Sequence, residues 1–198
     1  MKDFWDQRYA EADFAYGQLP NTFLKEELDL LPTGSVLLPA EGEGRNAVYA
    51  LKKGWDVQAF DYSPTAKKKA TNLASDKELT LAYEVTDVLS FSTDKTYDVL
   101  ALCYAHFPAD IRKEAHQHLL QFLKPNGTII FEAFAKSQLG NHSGGPKNID
   151  MLFSIDEVKN EFEGIVFNYL IETSVVLNEG KYHKGDASVI RFTGKKTT

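Results

Sequence analysis

The stretch Leu38-Pro39-Ala40-Glu41-Gly42-Glu43-Gly44-Arg45-Asn46-Ala47 constrains this chain more than any other. It follows an apolar run of strand length, Val36 to Leu38, and leads into a short helical run, Ala47 to Lys53, ended by Gly54. Gly42 and Gly44 let the backbone turn sharply at a helix start and leave no side chain to block a ligand there. The same strand-then-helix order repeats downstream. Asp56 to Phe60 reads as a strand stopping at Asp61, Pro64 to Ser75 as a helix, and Leu79 to Val85 as a third strand. Tyr97 to Cys103 is a fourth, Pro108 to Leu123 a longer helix, and Gly127 to Phe134 a fifth strand. Strands apolar along their whole length belong inside a parallel sheet covered by helices on both faces.

Before this region, two amphipathic helical pieces are broken around Gly17 and Pro20, the second running from Thr22 to Leu31. After it, residues 135–150 are rich in Gly, Asn, Ser and Pro and read as a long loop, within which Gly140 to Asn148 is either a mobile cover over the acceptor or a disordered insertion. A helix from Ser154 to Phe162 begins with a Ser154/Glu157 capping pattern. Two strands follow, Ile165 to Leu177 and Ala187 to Thr193, joined at Asn178-Glu179-Gly180 and therefore antiparallel. With 198 residues, 43% of them hydrophobic, the chain suits one core. We expect one domain over 1–198: a helical cap (1–34), a cofactor-binding half (35–135), and an acceptor-side loop, helix and hairpin (136–198).

A net charge of -6 argues against a nucleic-acid or anionic-membrane partner. Cys103 is the single cysteine, so neither an intrachain disulfide nor a thiolate-rich zinc site can form, and His116 and His118 are a poor metal pair. No metal is expected. The opening Met1-Lys2-Asp3-Phe4-Trp5-Asp6 lacks the order of a signal peptide, and a cytoplasmic protein, monomeric or weakly dimeric, is expected. Lys67-Lys68-Lys69 reads as the solvated face of its helix.

Gly42-x-Gly44-x-x-Ala47 satisfies a dinucleotide fingerprint, but Glu41 and Glu43 would repel a pyrophosphate and favour a ligand bearing positive charge. Asp61, nineteen residues after Gly42, stands where an acid can accept from both ribose hydroxyls of an adenosine. Asp87 can accept the adenine amino group while Val88 and Leu89 cover the base. Alone, Asp61 would be a helix cap, a task for which Ser63 is better placed, and Asp87 a turn residue. Cys103 to Pro108 follow the fourth strand, where chemistry would occur. His106 is the candidate general base there, against the plainer reading of a histidine bonded to backbone. Arg45, His183 and Arg191 are candidates to hold an anionic acceptor, although arginines on strands more often form ion pairs.

The chain resembles class I S-adenosylmethionine-dependent methyltransferases, in particular the small bacterial enzymes grouped with tellurite-resistance and thiopurine methyltransferases. The likeness rests on Phe4-Trp5-Asp6-x-Arg8-Tyr9, Tyr16-Gly17-x-x-Pro20-Asn21-x-Phe23-Leu24, Glu41 to Ala47, Asp61-x-Ser63, Asp87 and Gly144-Gly145-Pro146. It implies a Rossmann-like, three-layer α/β/α fold, with a doubly wound, mostly parallel sheet of seven strands and an antiparallel last strand. It also implies S-adenosylmethionine as cofactor, S-adenosylhomocysteine as product and a small-molecule acceptor such as a thiol, a thiopurine-like heterocycle or a tellurium or selenium oxyanion. The expected cofactor-binding residues are Trp5, Tyr9, Ala40, Glu41, Gly42, Glu43, Gly44, Asn46, Asp61, Tyr62, Ser63, Asp87, Val88 and Cys103. For the acceptor they are Tyr16, Tyr104, His106, Phe107 and His142. The chain departs from its relatives at Leu38, commonly acidic, and Ala40, commonly glycine, which leaves Glu41 or Glu43 to meet the methionine ammonium. Two rival readings are a non-catalytic S-adenosylmethionine binder and a nicotinamide-dependent oxidoreductase.

Overall fold

A computed structural model describes residues 2–197; Met1 and Thr198, the ends of the expected domain, lie outside the described residues. The helices are α1 (Lys2–Tyr9), α2 (Thr22–Asp29), α3 (Arg45–Lys52), α4 (Pro64–Ser75), α5 (Ala109–Leu120) and α6 (Ile155–Glu161). The strands are β1 (Ser35–Pro39), β2 (Asp56–Asp61), β3 (Ala82–Val85), β4 (Tyr97–Cys103), β5 (Leu123–Phe134), β6 (Ile165–Glu179) and β7 (His183–Lys196). They form one sheet of seven strands in the order β3-β2-β1-β4-β5-β7-β6. The strands from β1 to β5 pair in parallel, and β7 is inserted antiparallel between β5 and β6. The expected architecture of a doubly wound sheet with an antiparallel final strand is therefore the one observed.

Alternation along the strands divides the apolar residues between two helical layers. Leu37, Leu100, Leu102, Ile129 and Phe131 pack toward α5 and α6. Val36, Leu38, Val99, Ala101 and Ile130 pack with Phe23, Leu24 and Leu28 of α2 and Ala47 and Ala50 of α3. Leu38, the position at which the resemblance leads one to expect an acid, is thus a fully buried core residue.

Local chemistry fixes the helix starts. Asn21 caps α2 by accepting from the Leu24 amide at 2.8 Å, Ser63 caps α4 through Ala66, and Ser154 and Glu157 form the expected capping box of α6. Gly44, at φ +86, begins α3 two residues earlier than the sequence pattern suggests.

Two boundaries differ more. The helix expected over 108–123 stops at Leu120, because Leu123 pairs with Tyr97 and starts β5 four residues before Gly127. The final hairpin turns at 180–182 rather than 178–180, and its strands are longer than expected. Glu179 pairs with His183, and Gly180, at φ +68, is pressed onto the backbone of Ala15 to Gly17. The loop over 135–150 is held in place by Gln138, which donates to the Ser143 hydroxyl and the Gly144 carbonyl and accepts from the Ser188 amide. Among the described residues no helix is long and apolar enough to cross a membrane.

Candidate active site

Two cavities of about 530 and about 600 Å³ lie at the carboxyl edge of the parallel strands. They share Trp5, Tyr9, Ala40, Tyr104 and His106, so one ligand can reach from one into the other. The smaller is bounded by Phe60, Asp61, Tyr62, Asp87, Val88 and Phe107 from the ends of β2, β3 and β4. The larger is walled by the turn after β1, the segment after β5, the β6–β7 turn and the N-terminal segment. Ala40 and Tyr104, at the ends of β1 and β4, both hold positive φ (51° and 55°), a conformation L-residues seldom adopt and one that clusters at functional sites.

Asp61 ties the smaller cavity together. Its Oδ2 accepts the Gly42 amide at 3.2 Å and its Oδ1 the Ser63 amide at 2.9 Å. Burial pushes its pKa up to about 6 against those two stabilising bonds. Gly42 leaves space only for Tyr9: a Cβ there would stand 2.8 Å from the Tyr9 hydroxyl, and Tyr83 fixes the Gly42 carbonyl with a 2.7 Å hydrogen bond. Trp5 stacks on Tyr9 with ring centroids 5.5 Å apart, so α1 roofs both cavities with aromatic faces. The Tyr62 and Tyr104 hydroxyls are buried with no hydrogen-bond partner among the described residues.

Of the expected cofactor residues, Trp5, Tyr9, Ala40, Glu41, Gly42, Glu43, Asn46, Asp61, Tyr62, Asp87, Val88 and Cys103 line one cavity or the other. Gly44 and Ser63 do not. Gly44 is required by helix packing, since a Cβ there would lie 2.6 Å from that of Ala70 on α4. Ser63 is fully buried as the α4 cap and bonds Asp6 of α1. Phe107, expected at the acceptor, borders the smaller cavity alone, whereas Tyr16, Tyr104, His106 and His142 line the larger.

Both carboxylates of the turn have structural partners. Glu43 accepts the Ala15 amide and pairs with Lys69, each at 2.8 Å, so Lys69 is not solvated as its lysine run suggests. Glu41 accepts the Ala47 amide at 2.7 Å, capping α3, and faces the Asn46 amide group at 3.4 Å; burial pushes its pKa up to about 7.

His106 does not fit a general base. Its Nδ1 faces the Met151 carbonyl at 2.8 Å and its Nε2 accepts the Phe134 amide at 3.3 Å, which leaves no free lone pair. Burial lowers its pKa to about 4. It links β4 to the segment after β5, which Arg112 also holds by donating to the Asp150 and Leu152 carbonyls. The Cys103 thiol is pushed up by burial and by Glu132, against thiolate chemistry.

A buried polar network under the larger cavity was not assembled from the sequence. Glu132, in the middle of the apolar strand GTIIFEAF, is fully buried and bonds Asn21 and Arg191. Arg45 pairs with Glu179 at 3.0 Å, and His183 approaches the same carboxylate at 3.2 Å. Arg45 and Arg191 are therefore engaged by carboxylates and do not stand free for an anion. Arg8 also lines the larger cavity; its guanidinium sits 3.6 Å over the Tyr182 ring. Among the described residues no group of His, Cys, Asp and Glu side chains is placed to hold a metal ion.

Residues 36–127 match the family described as the methyltransferase domain. No curated protein matches the chain. Among solved structures, the chain resembles one determined for the conversion of a disulfide bond into a thioacetal group during echinomycin biosynthesis, with a TM-score of 0.79 and 18% identity over 100% of this chain and 92% of that one. TehB from Haemophilus influenzae gives 0.74 and 14% over 99% and 67%. The N-methyltransferase NodS from Bradyrhizobium japonicum WM9, in complex with S-adenosylhomocysteine, gives 0.72 and 14% over 100% and 98%. These likenesses show a shared fold, the seven-stranded Rossmann-like fold of the N-methyltransferase NodS.

Proposed function

We propose that this chain, which carries a methyltransferase domain on a class I fold, is a single-domain S-adenosylmethionine-dependent enzyme that methylates a small-molecule acceptor. The observation that carries the reading is the junction of the two cavities at Trp5, Tyr9, Ala40, Tyr104 and His106, with Asp61 in one arm and an aromatic acceptor chamber in the other. The residues fit the cofactor. A buried carboxylate suits a vicinal diol, unpartnered tyrosine hydroxyls suit a polar ligand, and the Gly42 turn has no room for a side chain of its own.

When bound, the cofactor supplies a methyl group on a positively charged sulfur. Asp61 would accept from the ribose hydroxyls, and Asp87, Val88 and Phe107, which line the same cavity, would hold the adenine. Trp5 and Tyr9 exclude water and present aromatic faces to the positive charge, a contact worth ~0.5–2 kcal/mol. Glu41, bonded to the start of α3, and Glu43, paired with Lys69 and bonded to the Ala15 amide, fix the turn near the amino-acid end. Tyr16, Tyr104 and His142 border the acceptor, and positioning does most of the catalytic work. We place the protein in the cytoplasm, acting without a metal. Calorimetry with S-adenosylhomocysteine beside NAD tests the assignment: the reading requires tight binding of the first, and tighter binding of NAD overturns it.

A further inference from the structure

We propose that His183, oriented by Glu179, is the general base that takes a proton from the acceptor, and that the acceptor is a protic nucleophile, a thiol or a ring N–H. This rests on the methyltransferase reading. The β6–β7 hairpin brings the pair together: Glu179 and His183 face each other across the turn, and Nδ1 lies 3.2 Å from Oε2. Glu179 is held ionised, with Arg45 on the same oxygen at 3.0 Å and the Asn21 side chain on the other at 3.3 Å. An ionised carboxylate only accepts, so Nδ1 of His183 carries the ring proton and Nε2 keeps its lone pair. Nε2 has no hydrogen-bond partner among the described residues and, unlike Nε2 of His116, is not sealed from solvent. His183 lines the acceptor cavity, with Tyr16 and Tyr104 ring centroids 4.4 and 4.6 Å away.

Other cavity groups lack this combination. His106 has both nitrogens engaged, Glu41 uses its oxygens on the start of α3, and His142 is exposed at the mouth. The charges facing His183 are Glu179 from β6, Arg45 from α3 and Glu132 from β5, with Tyr104 beside it from the end of β4. Burial lowers the imidazole pKa below its ordinary value, so the ring is neutral and able to accept at pH 7. In the step, the acceptor heteroatom bonds the methyl carbon as the carbon–sulfur bond breaks, its electron pair remaining on sulfur. The acceptor's proton passes to Nε2, and the resulting imidazolium is paired with Glu179 until it releases the proton to solvent.

His183→Asn is the informative variant, because its amide nitrogen can still donate to Glu179 as Nδ1 does but cannot accept a proton. With 2-mercaptoethanol and benzyl mercaptan as probes, alkyl thiols that stay protonated at pH 7, kcat at pH 7 should fall by about 100-fold or more and recover as rising pH ionises the thiol. The S-adenosylhomocysteine dissociation constant should change by less than about threefold. Nitrogen-15 NMR of the wild-type complex with S-adenosylhomocysteine should show Nδ1 protonated and Nε2 bare at pH 7.5. A wild-type pH profile for His183→Asn, or an Nε2–H tautomer, overturns the proposal, and the tautomer alone decides it if neither probe is methylated. Failure of the wild type to bind S-adenosylhomocysteine would instead bring down the underlying reading, and this inference with it.

Discussion

Oδ2 of Asp61 accepts the amide of Gly42 across 3.2 Å, joining the end of β2 to the turn that follows β1. The carboxylate thereby shapes the cradle before any ligand arrives, and its remaining acceptor capacity belongs to the cavity between β2 and β3. Replacing Asp61 with Ala should weaken S-adenosylhomocysteine binding by ~1.5–3 kcal/mol through loss of charge-assisted hydrogen bonds. Calorimetry on the variant checks this, and unchanged affinity would mean that the ribose is held elsewhere.

The raised pKa of Asp61 gives a pH dependence with a definite sign. Burial lifts it from 3.8 to about 6, so the unliganded fold is favoured by its protonated form and loses that contribution as pH rises through 6. Ribose hydroxyls donate to the ionised form and favour it. Stabilisation by S-adenosylhomocysteine, read as a shift in Tm, should therefore be smaller at pH 5.5 than at pH 8, and the difference should vanish in Asp61→Asn.

Gly42 and Gly44 are separated by one residue and serve different ends. Gly44→Ala forces a Cβ to within 2.6 Å of Ala70 at φ +86, so it should lower stability by ~2 kcal/mol or more, seen in urea or thermal unfolding. Gly42→Ala pushes on the Tyr9 hydroxyl at the cavity wall, so its larger effect should be on cofactor affinity. Equal effects of both variants on both measurements would contradict the division.

These contrasts mark what the sequence made legible. The end of β2 at Asp61, the end of α3 at Gly54 and the start of α4 at Ser63-Pro64 were readable because their signals are local, and α4 is found over the residues expected for it. Pairings distant along the chain left no such trace. Lys69 looks like part of a solvated lysine run until Glu43 is brought against it, and Arg45 meets a carboxylate 134 residues away. One local hint was present, the lone Glu132 in an apolar strand; the pairing of Leu123 with Tyr97 left none, because a register shift between Tyr97 and Val99 separates it from the rest of the β4–β5 ladder. Phe107 could be placed after β4, but which of two adjoining cavities it bordered depended on the path taken by the chain after β4.

His106 should behave as a structural histidine. Its pKa is lowered from 6.5 to about 4 by burial, so the stability it contributes is present above pH 6.5 and is lost as pH falls through about 4. His106→Gln should reduce Tm by several degrees at pH 8, and the gap from wild type should narrow toward pH 4. A constant gap across that range would mean that the ring is not held neutral between Met151 and Phe134.

The most direct test of the account is a crystal structure of the protein with S-adenosylhomocysteine. The ribose should lie on Asp61, the adenine beside Asp87 and Val88, and the sulfur at the junction framed by Trp5, Tyr9 and Tyr104. A ligand bound away from Asp61, or a cleft closed by packed side chains when the ligand is in excess, would contradict it.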